Sequence, residues 1–351
     1  MTTASKTSNI SILRHGLAVL LAAVALVLAF APFWAGRADM RLLMEAFSFL
    51  ALAQMWNLLA GYTGLVSVGQ QAYVGLGGYA FFGLAMFSGL HPLAAMPLAA
   101  VSAGIIAVPT GWVAFRLQGA YFAIGTWVIA EVFRLVAAQF PALGGGSGIS
   151  LPVAIVKSIG SSTAGREMTM YYIAFAIALA ATLGVWVLLR SRWGLALTAI
   201  RDSEPAAESL GVRTGRTKFL IYVFTAAMTG LTGAFIFLQK LRISPEAAFS
   251  VNEWTAFVIF IVVIGGIGTI EGPILGVVIF FVLRAFTADW GTWYLIMMGA
   301  IAIAVMLVDK RGVWGALRAR GMPPVFATTR VLRAKSEIAR QAAPVRPEAA
   351  E

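Results

Sequence analysis

Apolar runs of about 20 residues, almost free of charged side chains, recur along this sequence and constrain its fold more than any other feature. A helix of about 20 apolar residues spans the hydrocarbon core of a bilayer. Because that core offers no water to backbone N–H and C=O groups, such runs must be helical. Only 12% of the residues are charged and 60% are hydrophobic, whereas soluble domains have about 25% charged residues. The sequence therefore predicts an all-α, polytopic membrane helix bundle.

Residues 17–308 are predicted to form one transmembrane domain with ten apolar segments. These segments are 17–35, 42–60, 63–89, 93–115, 119–138, 171–189, 219–239, 254–267, 273–288 and 292–308. The run 254–288 is broken by Gly265, Gly266, Gly268, Gly272 and Pro273, so it is either two crossings or one broken re-entrant hairpin. We expect about 8–10 transmembrane segments with broken, Gly-rich helices. Since no small-x-small cleavage site follows 17–35, this run is expected to be a retained first helix.

Positive charge is concentrated outside the apolar segments. Of the 26 Lys and Arg residues, 17 lie in residues 1–16, 190–218 and 309–351. Under the positive-inside rule these are a cytoplasmic N-terminal tail, a cytoplasmic loop and a basic cytoplasmic C-terminal tail, which we expect to be largely disordered. The loop 139–170 then lies outside, as a periplasmic connector or a docking surface. The net charge of +11 is explained by this topology, and we expect no nucleic acid as a partner.

The sequence lacks the residues and motifs that several kinds of chemistry require. It has no cysteine and two histidines, His15 and His91, which excludes disulfides and thiolate metal sites and argues against a haem or multi-histidine centre. It contains no G-x-x-x-x-G-K-[ST] motif to hold a nucleotide, and no G-x-S-x-G or H-E-x-x-H motif. We therefore expect no catalytic residue, no metal and no cofactor bound by this chain, and a membrane enzyme is the weakest alternative.

The sequence of the loop 190–218 predicts a short helix within it. Asp202 or Ser203 can cap its first turn, and Pro205 falls where a missing N–H costs little. Gly211 suits a left-handed C-terminal position. A short capped helix between two membrane spans can transmit force to a cytosolic partner, whereas a solvated loop cannot. The alternative is a solvated loop whose basic residues only follow the positive-inside rule.

Four motifs in order carry a family resemblance. Residues 204–211, with Glu204, Ala206, Ala207 and Gly211, resemble the E-A-A-x-x-x-G loop of bacterial ABC-importer permeases, although Pro205 departs from the bare motif. The sequences NLLAGYTGLVS at 57–67, RLQGAYFAI at 116–124 and GGIGTIEGP at 265–273 resemble the branched-chain amino acid permease family, in its "M"-type half. The resemblance covers roughly residues 45–315.

The resemblance implies a permease subunit of an ABC importer in the bacterial inner membrane. Its cargo would be branched-chain or related hydrophobic amino acids, with urea or short amides as an alternative. Its partners would be membrane lipid, a second permease subunit, a periplasmic substrate-binding protein and two cytosolic ATPase subunits that bind ATP and Mg²⁺. The residues implied in coupling to the ATPase are Asp202, Ser203, Glu204, Ala206, Ala207 and Gly211. The alternative from a different class is a stand-alone secondary transporter or channel.

Residues 61–89 hold eight glycines among polar side chains. Because glycine costs about 1 kcal/mol relative to alanine within a helix, we expect a kinked or broken helix here. Broken helices at membrane depth can line a substrate pathway, whereas small residues can simply allow close helix packing, and both interpretations stay open. The candidate pathway residues in this region are Tyr62, Thr63, Ser67, Gln70 and Gln71.

The second glycine-rich region is 265–276. Its candidate pathway residues are Gly265, Gly266, Gly268 and Glu271, and the last of these is either a cation contact in the pathway or an interface residue near the cytoplasmic side. Elsewhere, Glu131 and Arg134 are three residues apart and are expected to form a structural pair. Glu45, Gln54 and Asn57 recur along the second segment and are expected to face the bundle interior.

Overall fold

The computed structural model describes residues 2–160, 162–287, 291, 293–309 and 311–326. Most of the predicted disordered tail, from residue 327 onward, lies outside these residues. Within them, regular structure is almost entirely helical. The helices are α1 Thr2–Ala29, α2 Arg37–Thr63, α3 Gln70–Phe87, α4 Pro92–Ala114, α5 Ala120–Ala138, α6 Val153–Ser158, α7 Thr163–Arg190, α8 Arg192–Asp202, α9 Glu204–Ser209, α10 Thr214–Lys240, α11 Pro245–Ala248, α12 Phe257–Gly265, α13 Glu271–Thr287, α14 Trp293–Val308 and α15 Gly312–Ala319.

Shorter elements complete the chain. Two antiparallel two-residue strands, β1 (Ile149–Ser150) and β2 (Arg242–Ile243), pair residues far apart in sequence. The remaining elements are 3-10 turns at Ala31–Phe33, Pro141–Leu143 and Gly145–Ser147, and one π-helical turn at Asn252–Ala256. The all-α membrane architecture predicted from the sequence is confirmed.

Seven helical segments of the described chain are long and apolar enough to cross a membrane. They are Arg37–Thr63, Pro92–Ala114, Ala120–Ala138, Thr163–Arg190, Thr214–Lys240, Pro245–Gly265 and Trp293–Ala319. The three other predicted segments correspond to the apolar stretch His15–Ala29 of α1 and to α3 and α13, which are shorter or less apolar.

The predicted segment 63–89 is not a single span. α2 continues to Thr63 and ends at Gly64, whose φ of 74° is left-handed. Glycine takes this conformation without the penalty that a Cβ imposes. A loop then runs to Gln70, where α3 begins, and the indole Nε1 of Trp56 fixes the loop by donating to the Ser67 carbonyl at 2.8 Å. The expected break in this glycine-rich region is therefore present, a few residues later than the predicted start of the span.

The core lies around α2 and α10. Leu52 and Leu58 of α2, and Phe235 and Leu238 of α10, are fully buried, as expected for helices that are apolar on all sides. α3 packs closely on α10 because both contribute glycines: a Cβ added at Gly77 would clash with the backbone of α10. Close packing through small residues thus accounts for part of the glycine density in 61–89.

The two ends of α2 define the two ends of the bundle. With 27 residues, α2 is about 40 Å long. α9 lies where α2 ends and α10 begins, since Arg201 sits 5.9 Å from the Tyr62 ring and Lys218 contacts Glu204. We call this the α9 end. The opposite end, where α2 begins and α10 ends, contains a large cavity and is called the cavity end.

Candidate functional site

The short helix predicted in the 190–218 loop is present as α9. The Ser203 hydroxyl caps it and accepts from Ala206 N at 3.4 Å. Asp202 does not cap; its carboxylate lies 3.4 Å from Arg201. Pro205 occupies the first turn, and Gly211 closes the helix with a φ of 84°. The capped geometry expected from the sequence is therefore confirmed, with Ser203 as the capping residue.

α9 is fixed firmly to the bundle. Glu204 Oε1 lies 2.6 Å from Lys218 Nζ, and Glu208 Oε1 accepts from the Thr214 hydroxyl at 2.6 Å. Ala207 is buried on the inner side. Leu210, in contrast, is 81% exposed at the tip. These contacts make α9 a rigid projection with an apolar tip, directly joined to the start of α10.

The helix that supports this projection, α8, was not predicted from the sequence. α8 is capped by Ser191, whose Oγ accepts from Trp193 N at 3.2 Å, and it buries Gly194, Leu197 and Ile200. The three-residue spacing of those positions is the helical signal that could have revealed it. α8 packs against α2 and α7, so it connects α9 to the bundle.

At the α9 end, two buried amides of α2 hold the break between α12 and α13. Asn57 Nδ2 donates to Thr269 O at 2.7 Å, and its Oδ1 accepts from Gly268 N at 2.8 Å. Gln54 Nε2 donates to Ile270 O at 2.9 Å. Both side chains are fully buried. They satisfy backbone groups that the break leaves without helical partners, so the interior orientation expected for Gln54 and Asn57 is confirmed.

The glycines of the break permit this close approach. Gly266 and Gly268 have φ values of 131° and 74°, and a Cβ added at Gly61 would lie 2.6 Å from Gly268 N. Gly265 packs against the backbone of Gly272 on the other side of the break. The break that the sequence predicts in 265–272 is therefore confirmed, as a tightly packed crossing of α2.

Glu271 contacts the C-terminal segment. It is 7% exposed, and its Oε1 accepts from Val325 N at 2.8 Å and Phe326 N at 2.9 Å. The Phe326 ring packs on Trp186 of α7 with centroids 6.2 Å apart. Two roles were predicted for Glu271, a cation contact in the pathway or an interface residue. These contacts fit the interface residue.

Gln70 and Gln71 start α3 and are buried. Gln70 Nε2 donates to Leu52 O at 2.9 Å, and Gln71 Oε1 accepts from the Thr255 hydroxyl. The other amide atom of each, Gln70 Oε1 and Gln71 Nε2, has no hydrogen-bond partner within the described part of the chain. Two buried amides that are only half satisfied are unusual in a membrane interior.

Gln70 borders a small cavity of about 20 Å³ together with Ser67. This volume is large enough for about one water molecule. Tyr73 and Tyr222 form another wall, and their hydroxyls are 2.7 Å apart. The structure thus brings Ser67 and Gln70 together. It places Tyr62 and Thr63 at the end of α2, and Gly265, Gly266, Gly268 and Glu271 in the crossing described above, so the predicted pathway residues do not share one cavity.

A much larger cavity, of about 930 Å³, opens at the cavity end. The starts of α2 and α7, the end of α10 and the π-helical turn form its walls. Ion pairs lie along these walls: Lys240 Nζ is 3.1 Å from Glu253 Oε2, and Arg284 Nη1 is 2.7 Å from Glu45 Oε1. Sequence reasoning expected Glu45 to face the interior and missed its partner, which lies 239 positions away.

The ion pair predicted between Glu131 and Arg134 is present on α5. Arg134 Nε donates to Glu131 Oε1 at 2.9 Å on the partly exposed side of α5. Among the described residues, no group of three His, Cys, Asp or Glu side chains is arranged to hold a metal ion.

Comparison with known proteins identifies permease proteins as relatives of this chain. The chain is 27% identical over 311 residues to the high-affinity branched-chain amino acid transport system permease protein LivM of Escherichia coli K12, covering 82% of this chain and 73% of that protein. It is 30% identical over 152 residues to LivH of Salmonella typhimurium (42% and 48% covered). It is 26% identical over 141 residues to the autoinducer 2 import system permease protein LsrC of Klebsiella pneumoniae (36% and 39% covered). No solved structure matches the chain.

The family model matches most of the membrane domain. A model described as branched-chain amino acid transport system / permease component covers residues 39–308. This range includes five of the seven long apolar segments in full, nearly all of α2, and α14 of the last segment. The family resemblance carried by the four motifs is therefore confirmed. This multi-pass membrane protein belongs to the family of branched-chain amino acid transport system permease components.

Proposed function

We propose that this chain is the transmembrane permease subunit of an ATP-driven importer for branched-chain or related hydrophobic amino acids in a bacterial inner membrane. The observation that carries the proposal is α9: a short, capped, ion-paired helix that projects an exposed apolar tip from one end of the bundle. An exposed apolar side chain on a rigid projection fits a protein-binding surface. The name and family of LivM supply the class of cargo.

Energy enters from separate subunits in this proposal. Two cytosolic ATPase subunits bind ATP and Mg²⁺, and their closure pushes α9. Because α9 joins α10 and is backed by α8, the push tilts the bundle and alternates access to the two faces. This chain supplies the lever and part of the path, and a second permease subunit supplies the rest.

The orientation follows from charge. We place the α9 end, the N-terminus and the basic C-terminus in the cytoplasm, since the loop 190–218 carries six basic residues. The cavity end and the loop 139–170 then face the periplasm, where a substrate-binding protein delivers cargo. That soluble partner provides most of the selectivity, so the membrane path does not need a tight pocket.

Gln70 and Gln71 are the candidates for the path, because they start α3 next to the break after α2 and each keeps one buried amide atom without a partner in the described chain. Gln54 Oε1 also lacks a partner there, but the Gln54 amide holds the break between α12 and α13. We expect Gln70→Leu and Gln71→Leu to reduce uptake while assembly with partner subunits is unchanged. Unchanged uptake kinetics would remove both residues from the path.

Coupling is tested in the complete importer reconstituted in liposomes, with ATP hydrolysis and leucine uptake measured together. Gly211→Ala forces a left-handed conformation on a residue with a Cβ, which costs about 1–2 kcal/mol, and Glu204→Ala removes the Lys218 pair. Both variants should hydrolyse ATP while uptake per ATP falls about tenfold.

Gly215→Ala is the matched control. Gly215 also has no neighbour within 4 Å of an added Cβ, but its φ is not positive, so coupling should be normal. Normal coupling in Gly211→Ala and Glu204→Ala as well would refute the role of α9. Uptake by this chain alone, driven by an ion gradient without ATP, would favour a stand-alone secondary transporter, for which the broken helix at 265–272 is the supporting observation.

A further inference from the structure

The cavity at the start of α2 has the features of a ligand site. Its volume of about 930 Å³ falls within the 300–1,000 Å³ typical of small-molecule sites. Its walls combine aromatic rings with cation–carboxylate pairs.

Two backbone irregularities border this cavity. Asn252–Ala256 is the one π-helical turn in the described chain, and such turns occur often at functional sites. Leu241 is the only described non-glycine residue with a positive φ, at 57°. Strained backbone of this kind costs of order 1–3 kcal/mol and persists where the surroundings hold it in place.

Both irregularities position the same ion pair. Lys240 immediately precedes Leu241, and Glu253 lies within the π-helical turn. Lys240 Nζ is 3.1 Å from Glu253 Oε2. Both side chains are close to half exposed toward the cavity, so solvent or a ligand can reach them. Because an exposed pair contributes only about 0–1 kcal/mol, a ligand can separate its members at little cost.

An aromatic wall stands beside this pair. Trp254 is buried, and its Nε1 donates to Ala247 O at 2.7 Å, which fixes the ring. The indole stacks on Phe49 with centroids 6.1 Å apart. Lys240 Nζ lies 4.7 Å from the Trp254 ring. One cation, one carboxylate and a rigid apolar wall therefore lie within a few ångströms of one another.

We propose that this cavity binds a free α-amino acid zwitterion with an apolar side chain. Lys240 receives the ligand carboxylate, Glu253 accepts from its ammonium group, and Phe49 and Trp254 contact its side chain. Each charge of the ligand replaces one partner of the existing ion pair, so neither protein charge is left alone. The inference rests on the proposed amino acid cargo and adds to it a defined site at the cavity end.

The site is connected to the interior. Thr255, next to Trp254 in the π-helical turn, is fully buried. Its hydroxyl donates to Gln71 Oε1 and accepts from Gln71 N at 3.3 Å. A ligand that shifts the π-helical turn therefore acts directly on the start of α3, where Gln70 and Gln71 are the path candidates.

The test is direct binding to the full chain with its co-purifying subunits in lipid nanodiscs, measured by saturation-transfer NMR. The probes are L-leucine, 4-methylpentanoate, which lacks the ammonium group, and 3-methylbutylamine, which lacks the carboxylate. A charge-assisted hydrogen bond contributes about 1.5–3 kcal/mol, so each analogue should bind at least about tenfold more weakly than leucine.

Two variants separate the two charges. Lys240→Gln should weaken leucine binding about tenfold and abolish the preference for leucine over 3-methylbutylamine. Glu253→Gln should abolish the preference for leucine over 4-methylpentanoate. Lys240→Arg keeps the cation and should retain carboxylate recognition, which separates recognition from folding. Glu131→Gln is the matched control, because it breaks a similarly exposed ion pair on α5 and should leave binding unchanged.

Three results would overturn the proposal. These are unaltered leucine binding in both Lys240→Gln and Glu253→Gln, no leucine binding by the unmodified assembly, or loss of co-purifying subunits in these variants, which would make the cavity a subunit interface. ATP-dependent leucine uptake by the unmodified importer is measured in parallel. If uptake is normal, only the binding site fails; if uptake of leucine is absent, the proposed cargo fails.

Discussion

The two ends of the bundle are built from polar residues in opposite ways. At the α9 end, Gln54 and Asn57 are fully buried and bond to backbone atoms of the break between α12 and α13. At the cavity end, Lys240–Glu253 and Arg284–Glu45 are ion pairs with both members close to half exposed. Buried polar groups are costly to leave unpaired, whereas exposed ion pairs are inexpensive to separate. The break at the α9 end is therefore held by interactions that are costly to break, whereas the ion pairs at the cavity end are inexpensive to separate.

The largest effect is expected at Asn57. Asn57→Leu leaves Gly268 N and Thr269 O buried without their partners, and each orphaned group costs about 1–3 kcal/mol, so stability should fall by about 2–6 kcal/mol. The fall is measured as a lower unfolding temperature of the detergent-solubilised chain. Gln139→Leu, which changes an exposed amide at the end of α5, is the control. Equal effects of the two substitutions would remove the contrast between the ends.

Gly61 should give the next largest effect. A Cβ at this position would lie 2.6 Å from Gly268 N and 2.8 Å from Gly268 Cα, both of which are backbone atoms that cannot turn aside. Gly61→Ala should therefore destabilise by about 1–3 kcal/mol through overpacking. Gly83→Ala in α3 meets nothing within 4 Å and should be neutral or slightly stabilising. A harmless Gly61→Ala would mean that α2 and the break are not in close contact.

The smallest effect is expected at the cavity end. Arg284→Gln removes the Glu45 pair, whose members are 43% and 42% exposed, and such pairs contribute about 0–1 kcal/mol. The unfolding temperature should be almost unchanged. A loss as large as that of Asn57→Leu would show that the cavity end is as tightly built as the α9 end.

The sequence was sufficient for features that depend on neighbours along the chain. Apolar run length predicted the membrane helices, Ser203 and Gly211 predicted the ends of α9, and the glycines of 265–272 predicted the break. It was insufficient for features that depend on which helices are adjacent. The bond between Asn57 and Thr269 joins residues 212 positions apart, and the cavity combines side chains from several separate helices, so local pattern could not reveal either.

Helix ends and supporting elements were predicted less well for a physical reason. α7 begins at Thr163, eight residues before the predicted span, because Ser162 caps it and accepts from Gly165 N at 3.0 Å. α8 was treated as loop because its composition is polar and its buried stripe is only three residues. Short amphipathic helices on a membrane protein bury one narrow face, so hydropathy alone does not detect them.

Site-directed cross-linking at the tip of α9 tests the central claim most directly. The chain has no cysteine, so Leu210→Cys and Val153→Cys introduce single thiols at exposed positions on the α9 end and in the 139–170 loop. In the assembled importer we predict that Leu210→Cys forms a cross-link to an ATPase subunit, with a yield that changes when ATP binds, and that Val153→Cys does not. A Leu210→Cys thiol that cross-links to no partner, or that is labelled from the periplasmic side, would contradict the account.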